Sequence, residues 1–88
     1  MSQWKKALQK LLNGASDANM DFEEVCSMLR HMGFSERTRG SHHIFSRDGV
    51  AEIINLQPRG NNGKPYQMKQ IRDILLKYKL MGEPDEQI

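Results

Sequence analysis

His42-His43-Ile44-Phe45-Ser46-Arg47-Asp48-Gly49-Val50-Ala51-Glu52-Ile53-Ile54-Asn55-Leu56 reads as two strands joined by a tight turn. Asp-Gly is a strong hairpin signal, because the favoured two-residue turns need a positive φ that glycine and aspartate tolerate. Residues 50–56 are rich in β-branched side chains, as a strand should be. Upstream, residues 34–39 form a third strand-like piece, polar enough for a sheet edge, and Gly40-Ser41 separates it from the second. Downstream, residues 57–63 contain Pro58, Gly60, Asn61, Asn62 and Gly63 and are predicted to be a loop.

Helices flank this sheet unit. Trp4, Ala7, Leu8, Leu11 and Leu12 recur at helical spacing, with Ser2 to cap the start and Gly14 to end it. Residues 15–19 read as a linker. Asp21-Phe22-Glu23-Glu24 has the spacing of a capping box, and Met20 with Val25 can form the hydrophobic staple. Phe22, Val25, Cys26 and Leu29 line one face, and Gly33 is a C-terminal stop. Pro65 suits the first turn of a third helix. Its stripe is Met68, Ile71, Ile74, Leu75 and Tyr78, ending near Gly82. The order α-α-β-β-β-α predicts an α+β domain, a three-stranded antiparallel sheet with helices packed on one face. The other face, or a sheet edge, is left for a partner.

The chain has 88 residues, enough for one small domain with a modest core. We divide it into an N-terminal helical extension and linker (1–19), a principal domain (20–82) and an acidic tail (83–88). Its one cysteine, Cys26, leaves no internal disulfide and fits a reducing compartment. No apolar run reaches the ~20 residues of a membrane span. Met1 to Lys6 lacks the apolar core of a signal peptide, so the expected location is the cytoplasm.

A net charge of +2 hides an uneven distribution. Residues 37–82 carry nine Lys/Arg against three Asp/Glu, while residues 83–88 carry three acids and no base. Clustered positive charge attracts polyanions, although a solvated basic face would read the same way.

The paired histidines lie in this basic segment. Side chains alternate across a strand, so His42, Ile44 and Ser46 share one face and His43, Phe45 and Arg47 the other. If Phe45 enters the core, His43 points inward and His42 outward, but Ile44 is apolar too and alternation leaves the choice open. A histidine gives and takes protons near neutral pH. In RNA cleavage it can take the 2′-OH proton or protonate the leaving 5′-oxygen. Gly40 lets a phosphate come close, and Ser41 with bare backbone N–H groups can bond its oxygens. Arg39, Arg59 and Lys64 can add charge. The bland alternative is a pair of surface polar residues. Metal binding is poorly supported, since Cys26 and His31 share a helix whose apolar stripe claims Cys26. The Gly-Asn-Asn-Gly loop before Lys64 lacks Walker spacing.

From Asp21 to about Leu80 the chain resembles the HicA family of bacterial toxins, the mRNA interferases of HicA–HicB pairs. The resemblance is carried by Met32-Gly33-Phe34, Arg39-Gly40-Ser41-His42-His43-Ile44-Phe45 and Asp48-Gly49. It continues through Ile53-Ile54-Asn55-Leu56 with Pro58, and Lys64-Pro65-Tyr66-Gln67-Met68-Lys69-Gln70-Ile71. It implies a fold like the double-stranded-RNA-binding domain (α-β-β-β-α), RNA cleavage that blocks translation, and neutralisation by a HicB antitoxin. The family's catalytic histidine follows the Gly-Ser pair, which is His42 here; some members have histidine only at the next position, His43 here. Arg39, Gly40, Ser41, Arg59 and Lys64 are then candidates for holding RNA phosphate. No cofactor or metal is needed in principle, since the substrate's own 2′-OH can be the nucleophile. A non-catalytic module that binds RNA or antitoxin is the alternative. The N-terminal helix departs from the family pattern and could pack on the domain, form a dimer contact or meet the antitoxin.

Overall fold

The computed structural model describes residues 3–80. The elements run α1 (Gln3–Asn13), α2 (Phe22–His31), β1 (Ser35–Arg39), β2 (His42–Arg47), β3 (Val50–Leu56), β4 (Pro58–Arg59), β5 (Asn62–Gly63) and α3 (Pro65–Lys77). Strands β1, β2 and β3 form an antiparallel sheet in that order. Phe45, Ile54 and Leu56 project from one face into a core shared with all three helices. The expected α+β architecture is present, with the N-terminal helix added to an α-β-β-β-α unit.

Local chemistry explains the helix ends. The Asp21 carboxylate accepts from the Glu24 N–H at 3.1 Å, satisfying one otherwise orphaned donor of α2. Met20 and Val25, on either side of the cap, are both buried. At the other end Gly33 takes φ +92°. Phe34 N–H then reaches Leu29 C=O at 3.0 Å and Gly33 N–H reaches Arg30 C=O at 3.1 Å, the paired bonds of a Schellman cap.

Helix α3 stops earlier than its apolar stripe predicts. Its last residue is Lys77, and Lys79, at φ +56°, takes the left-handed position where a glycine was expected. Leu80 N–H closes the same type of cap on Leu75 C=O at 2.8 Å. Ser2, Gly82 and the acidic tail lie outside the described residues.

Two segments have more structure than the sequence suggested. Asp17–Asn19 forms a turn of 3-10 helix within the predicted linker. Residues 57–63 contain the small hairpin β4–β5, pairing Pro58 with Gly63 and Arg59 with Asn62. Bonds from outside hold it in place: Phe22 N–H to Asn61 C=O (2.9 Å) and Gly63 N–H to Met20 C=O (3.0 Å). The loop is therefore ordered by tertiary contacts that its own glycines and asparagines do not announce.

Of the alternatives for the N-terminal helix, packing on the domain is the one observed. Ala7, Leu8 and Leu11 are buried, and Trp4 stacks on His31 of α2 with ring centroids 5.3 Å apart. Arg72 of α3 ties the junction down. It donates to Leu11 C=O at 2.9 Å and to both carboxylate oxygens of Asp17 at 2.9 and 3.0 Å. Such a fork is the strong geometry for an arginine–carboxylate pair.

Candidate active site

Phe45 is fully buried, which decides the alternation along β2. His43 faces the core side and His42 faces out. The outer face of the sheet carries Arg37 and Arg39 from β1, His42 and Ile44 from β2, and Ile53 and Asn55 from β3. No helix covers it.

His42 begins β2 directly after a two-residue turn, Gly40-Ser41, closed by the pairing of Arg39 with His42. Gly40 sits at φ +59°, where a side chain would be strained. Arg39, Gly40, His42, Ile44 and Asn55 line an open depression of about 600 Å³. Within it, His42 Nδ1 lies 2.9 Å from Asn55 Oδ1. An amide oxygen only accepts, so Nδ1 carries the proton and donates. The other nitrogen, Nε2, makes no hydrogen bond among the described residues.

A second polar chain runs beside it. Gln57 Nε2 donates to Ser41 Oγ at 3.1 Å, and Lys64 Nζ donates to Gln57 Oε1 at 3.1 Å. Lys64 is thereby linked to the Gly-Ser turn through one side chain. Gln67 of α3 lies beneath, 4% exposed and the one buried polar side chain among the described residues. Its Nε2 donates to Asn55 C=O (3.4 Å) and its Oε1 accepts from Gln57 N–H (3.3 Å). Both bonds fall at the end of β3, where Pro58 takes over and the main ladder stops.

On the opposite face, His43 Nδ1 donates to Glu36 at 2.7 Å, and Glu36 also receives Arg30. The His43 and Phe22 rings meet edge to face, with centroids 5.0 Å apart and planes at 74°. The bonds from His43 and Arg30 hold the Glu36 carboxyl below the usual carboxylate range against the opposing effect of burial. Cys26 lies beside this group. Burial, reinforced by the Glu36 charge, pushes its thiol up to about 12, so it is neutral and a poor nucleophile.

Cys26, Glu36 and His43 bring three metal-type donor atoms within 4.8 Å of one another. The sequence paired Cys26 with His31, but the fold sends His31 to Trp4 and brings Cys26 to His43. Glu36 is already bonded to His43 and paired with Arg30, and the thiol is protonated, so the group as it stands is a hydrogen-bonded network.

Of the residues singled out from the sequence, the fold gathers Arg39, Gly40 and His42 around the depression. Ser41 and Lys64 join through Gln57. His43 is turned away. Arg59 stands exposed on the separate β4–β5 hairpin.

The profile of the family described as HicA toxin of bacterial toxin–antitoxin matches residues 22–79. The chain belongs to the HicA toxin family. No curated protein and no solved structure matches it. The matched span begins at the first residue of α2, so α1, which contributes Ala7, Leu8 and Leu11 to the core of this HicA toxin, lies outside it.

Within the site, sequence reasoning missed Asn55, Gln57 and Gln67. All three are uncharged, and none titrates near neutral pH. Their signal lies in pairing: Asn55 stands opposite Ile44, diagonal to His42 and on its face of the sheet.

Proposed function

We propose that this HicA toxin is an endoribonuclease that cleaves mRNA in the cytoplasm and blocks translation, with His42 as its acid–base group and a HicB-like antitoxin as its partner. One observation carries this reading. His42 is exposed in a depression beside Arg39, with Nδ1 occupied by Asn55 and Nε2 open.

In that state Nε2 is a base. It takes the proton of a ribose 2′-OH, and the 2′-oxygen forms a bond to the adjacent phosphorus. The bond from phosphorus to the 5′-oxygen breaks, and the departing oxygen takes a proton from water. The products are a 2′,3′-cyclic phosphate and a 5′-hydroxyl. Arg39 and Lys64 favour the negative charge gathering on the phosphate oxygens. The nucleophile belongs to the substrate, so the reading calls for no metal or cofactor.

His43 fits the acid–base role less well, because its Nδ1 serves Glu36 and its ring packs on Phe22. The basic outer face suits RNA through charge, and an antitoxin that covered His42 and this face would exclude RNA by direct competition.

The test is a short RNA offered with or without a single 2′-deoxy substitution at its cleavage position. Cleavage of the ribose form to a cyclic phosphate in the presence of EDTA, with the deoxy form intact, is the expected result. Equal cleavage of both forms would overturn the 2′-OH mechanism.

A further inference from the structure

His42 needs a defined tautomer as well as an open position. A neutral imidazole carries one proton on either nitrogen, and only the form protonated at Nδ1 leaves Nε2 free to accept. Nothing on β2 itself imposes that form. The partner that does so comes from β3, where the Asn55 amide oxygen stands 2.9 Å from Nδ1.

Asn55 in turn is placed by its backbone. Its carbonyl accepts from Gln67 Nε2, and the N–H of Gln57, two residues on, donates to Gln67 Oε1. A buried amide that donates to a strand residue and accepts from the residue just past the strand fixes that segment against α3. Neither bond is needed to continue the ladder, since Asn55 lies within β3 and Gln57 lies beyond its end. The cost of burying an amide is offset when both its ends are satisfied, as they are here.

We propose that Asn55 is a positioning residue that holds His42 as the Nδ1–H tautomer with Nε2 facing the depression, and that Gln67 holds Asn55 in register to do so. The proposal rests on the reading of His42 as the acid–base group. It makes a statement about the resting protein that can be checked without any substrate.

The experiment uses the full chain, uniformly labelled with nitrogen-15, in which long-range proton–nitrogen spectra report the tautomer of each histidine. Spectra are recorded at a pH where His42 is neutral. Wild type should show His42 protonated at Nδ1. Asn55→Ala should move it toward the Nε2–H form, and Asn55→Asp, which keeps an acceptor, should retain the wild-type signature. Gln67→Leu should weaken the preference, with a thermal melt to verify the fold; Asn55 is exposed, so its variants provide the test even if Gln67→Leu unfolds.

In cleavage of a short RNA, Asn55→Ala should lose roughly 10- to 100-fold in kcat with KM little changed, part of the ~10²–10⁴ that a positioned acid–base group supplies. Asn55→Asp should recover most of that loss. An unchanged tautomer in Asn55→Ala, or a changed tautomer with unchanged kcat, would overturn the proposal. If wild type cleaves no RNA, the functional reading fails instead, and the tautomer spectra still decide what Asn55 does.

Discussion

His43 donates from Nδ1 to the Glu36 carboxylate at 2.7 Å, on the face of the sheet opposite its neighbour His42. Two adjacent, chemically identical side chains therefore have different physical roles. His43 joins Arg30 in satisfying Glu36 and packs on Phe22, while His42 is exposed and hydrogen-bonds the Asn55 amide.

The pair should separate in stability. His42→Ala removes an exposed ring and should change unfolding free energy by no more than about 0.5 kcal/mol. His43→Ala takes one partner from a partly buried carboxylate and should cost about 1–3 kcal/mol. Urea unfolding of both variants checks this. Equal losses would mean that the faces are not as different as the contacts indicate.

Acid should destabilise the protein in a defined window. Lys77 and, after it, Tyr78 hold Glu52 down to about 2, and His43 and Arg30 hold Glu36 below its usual 4.5. Both groups have a folded pKa below the unfolded value, so the unfolded chain binds protons first as pH falls. Their contribution is complete above about pH 4.5 and is lost below it, toward 2 for Glu52. Melting temperature followed from pH 6 to pH 2.5 should drop through this range. Glu36→Gln and Glu52→Gln should each flatten the drop; two unchanged curves would rule out these carboxylates as its source.

The fold also narrows which cations are available to RNA. Arg72 is bound to Asp17, and Lys77 to Glu52. Arg39 and Arg59 form no ion pair among the described residues, and the Lys64 ammonium bonds only the neutral Gln57 among them. Arg39→Ala and Lys64→Ala should flatten the slope of log affinity against log salt by roughly 0.7–1 each, and Arg59→Ala should follow if RNA reaches the β4–β5 hairpin. Lys77→Ala should leave the slope unchanged. Titration with a short RNA at several salt concentrations measures all four.

Much of this was legible in the sequence. The Asp48-Gly49 turn, the alternation of 42–47 and the capping signals at Asp21 and Gly33 each act over a few residues, and each appears where it was read. The end of α3 was misplaced because Lys79 accepted a backbone conformation usually left to glycine. The β4–β5 hairpin was missed because Met20 and Phe22, far away in the chain, supply its bonds. At the site, the residues with titratable or charged side chains were visible by type, whereas Asn55 needed register. Continuing the Arg47–Val50 pairing would set Asn55 opposite His42; the irregularity between Phe45 and Arg47 shifts it to Ile44 and keeps it on the same face.

Helix α1 should behave as core despite lying outside the matched family span. Leu11 is fully buried, so Leu11→Ala should cost about 2–5 kcal/mol. Thermal melts of the isolated toxin check this. A variant as stable as wild type would show that α1 is an appendage, available instead to a partner.

The central claim is that His42, and not His43, performs acid–base chemistry on RNA. The most direct measurement is the cleavage rate of a short RNA by purified wild type, His42→Ala and His43→Ala at equal folded concentration. The account predicts cleavage by wild type, loss by ~10²–10⁴ in His42→Ala, and a rate in His43→Ala within about tenfold of wild type once folding is matched. A His42→Ala protein that cleaves at the wild-type rate would contradict it.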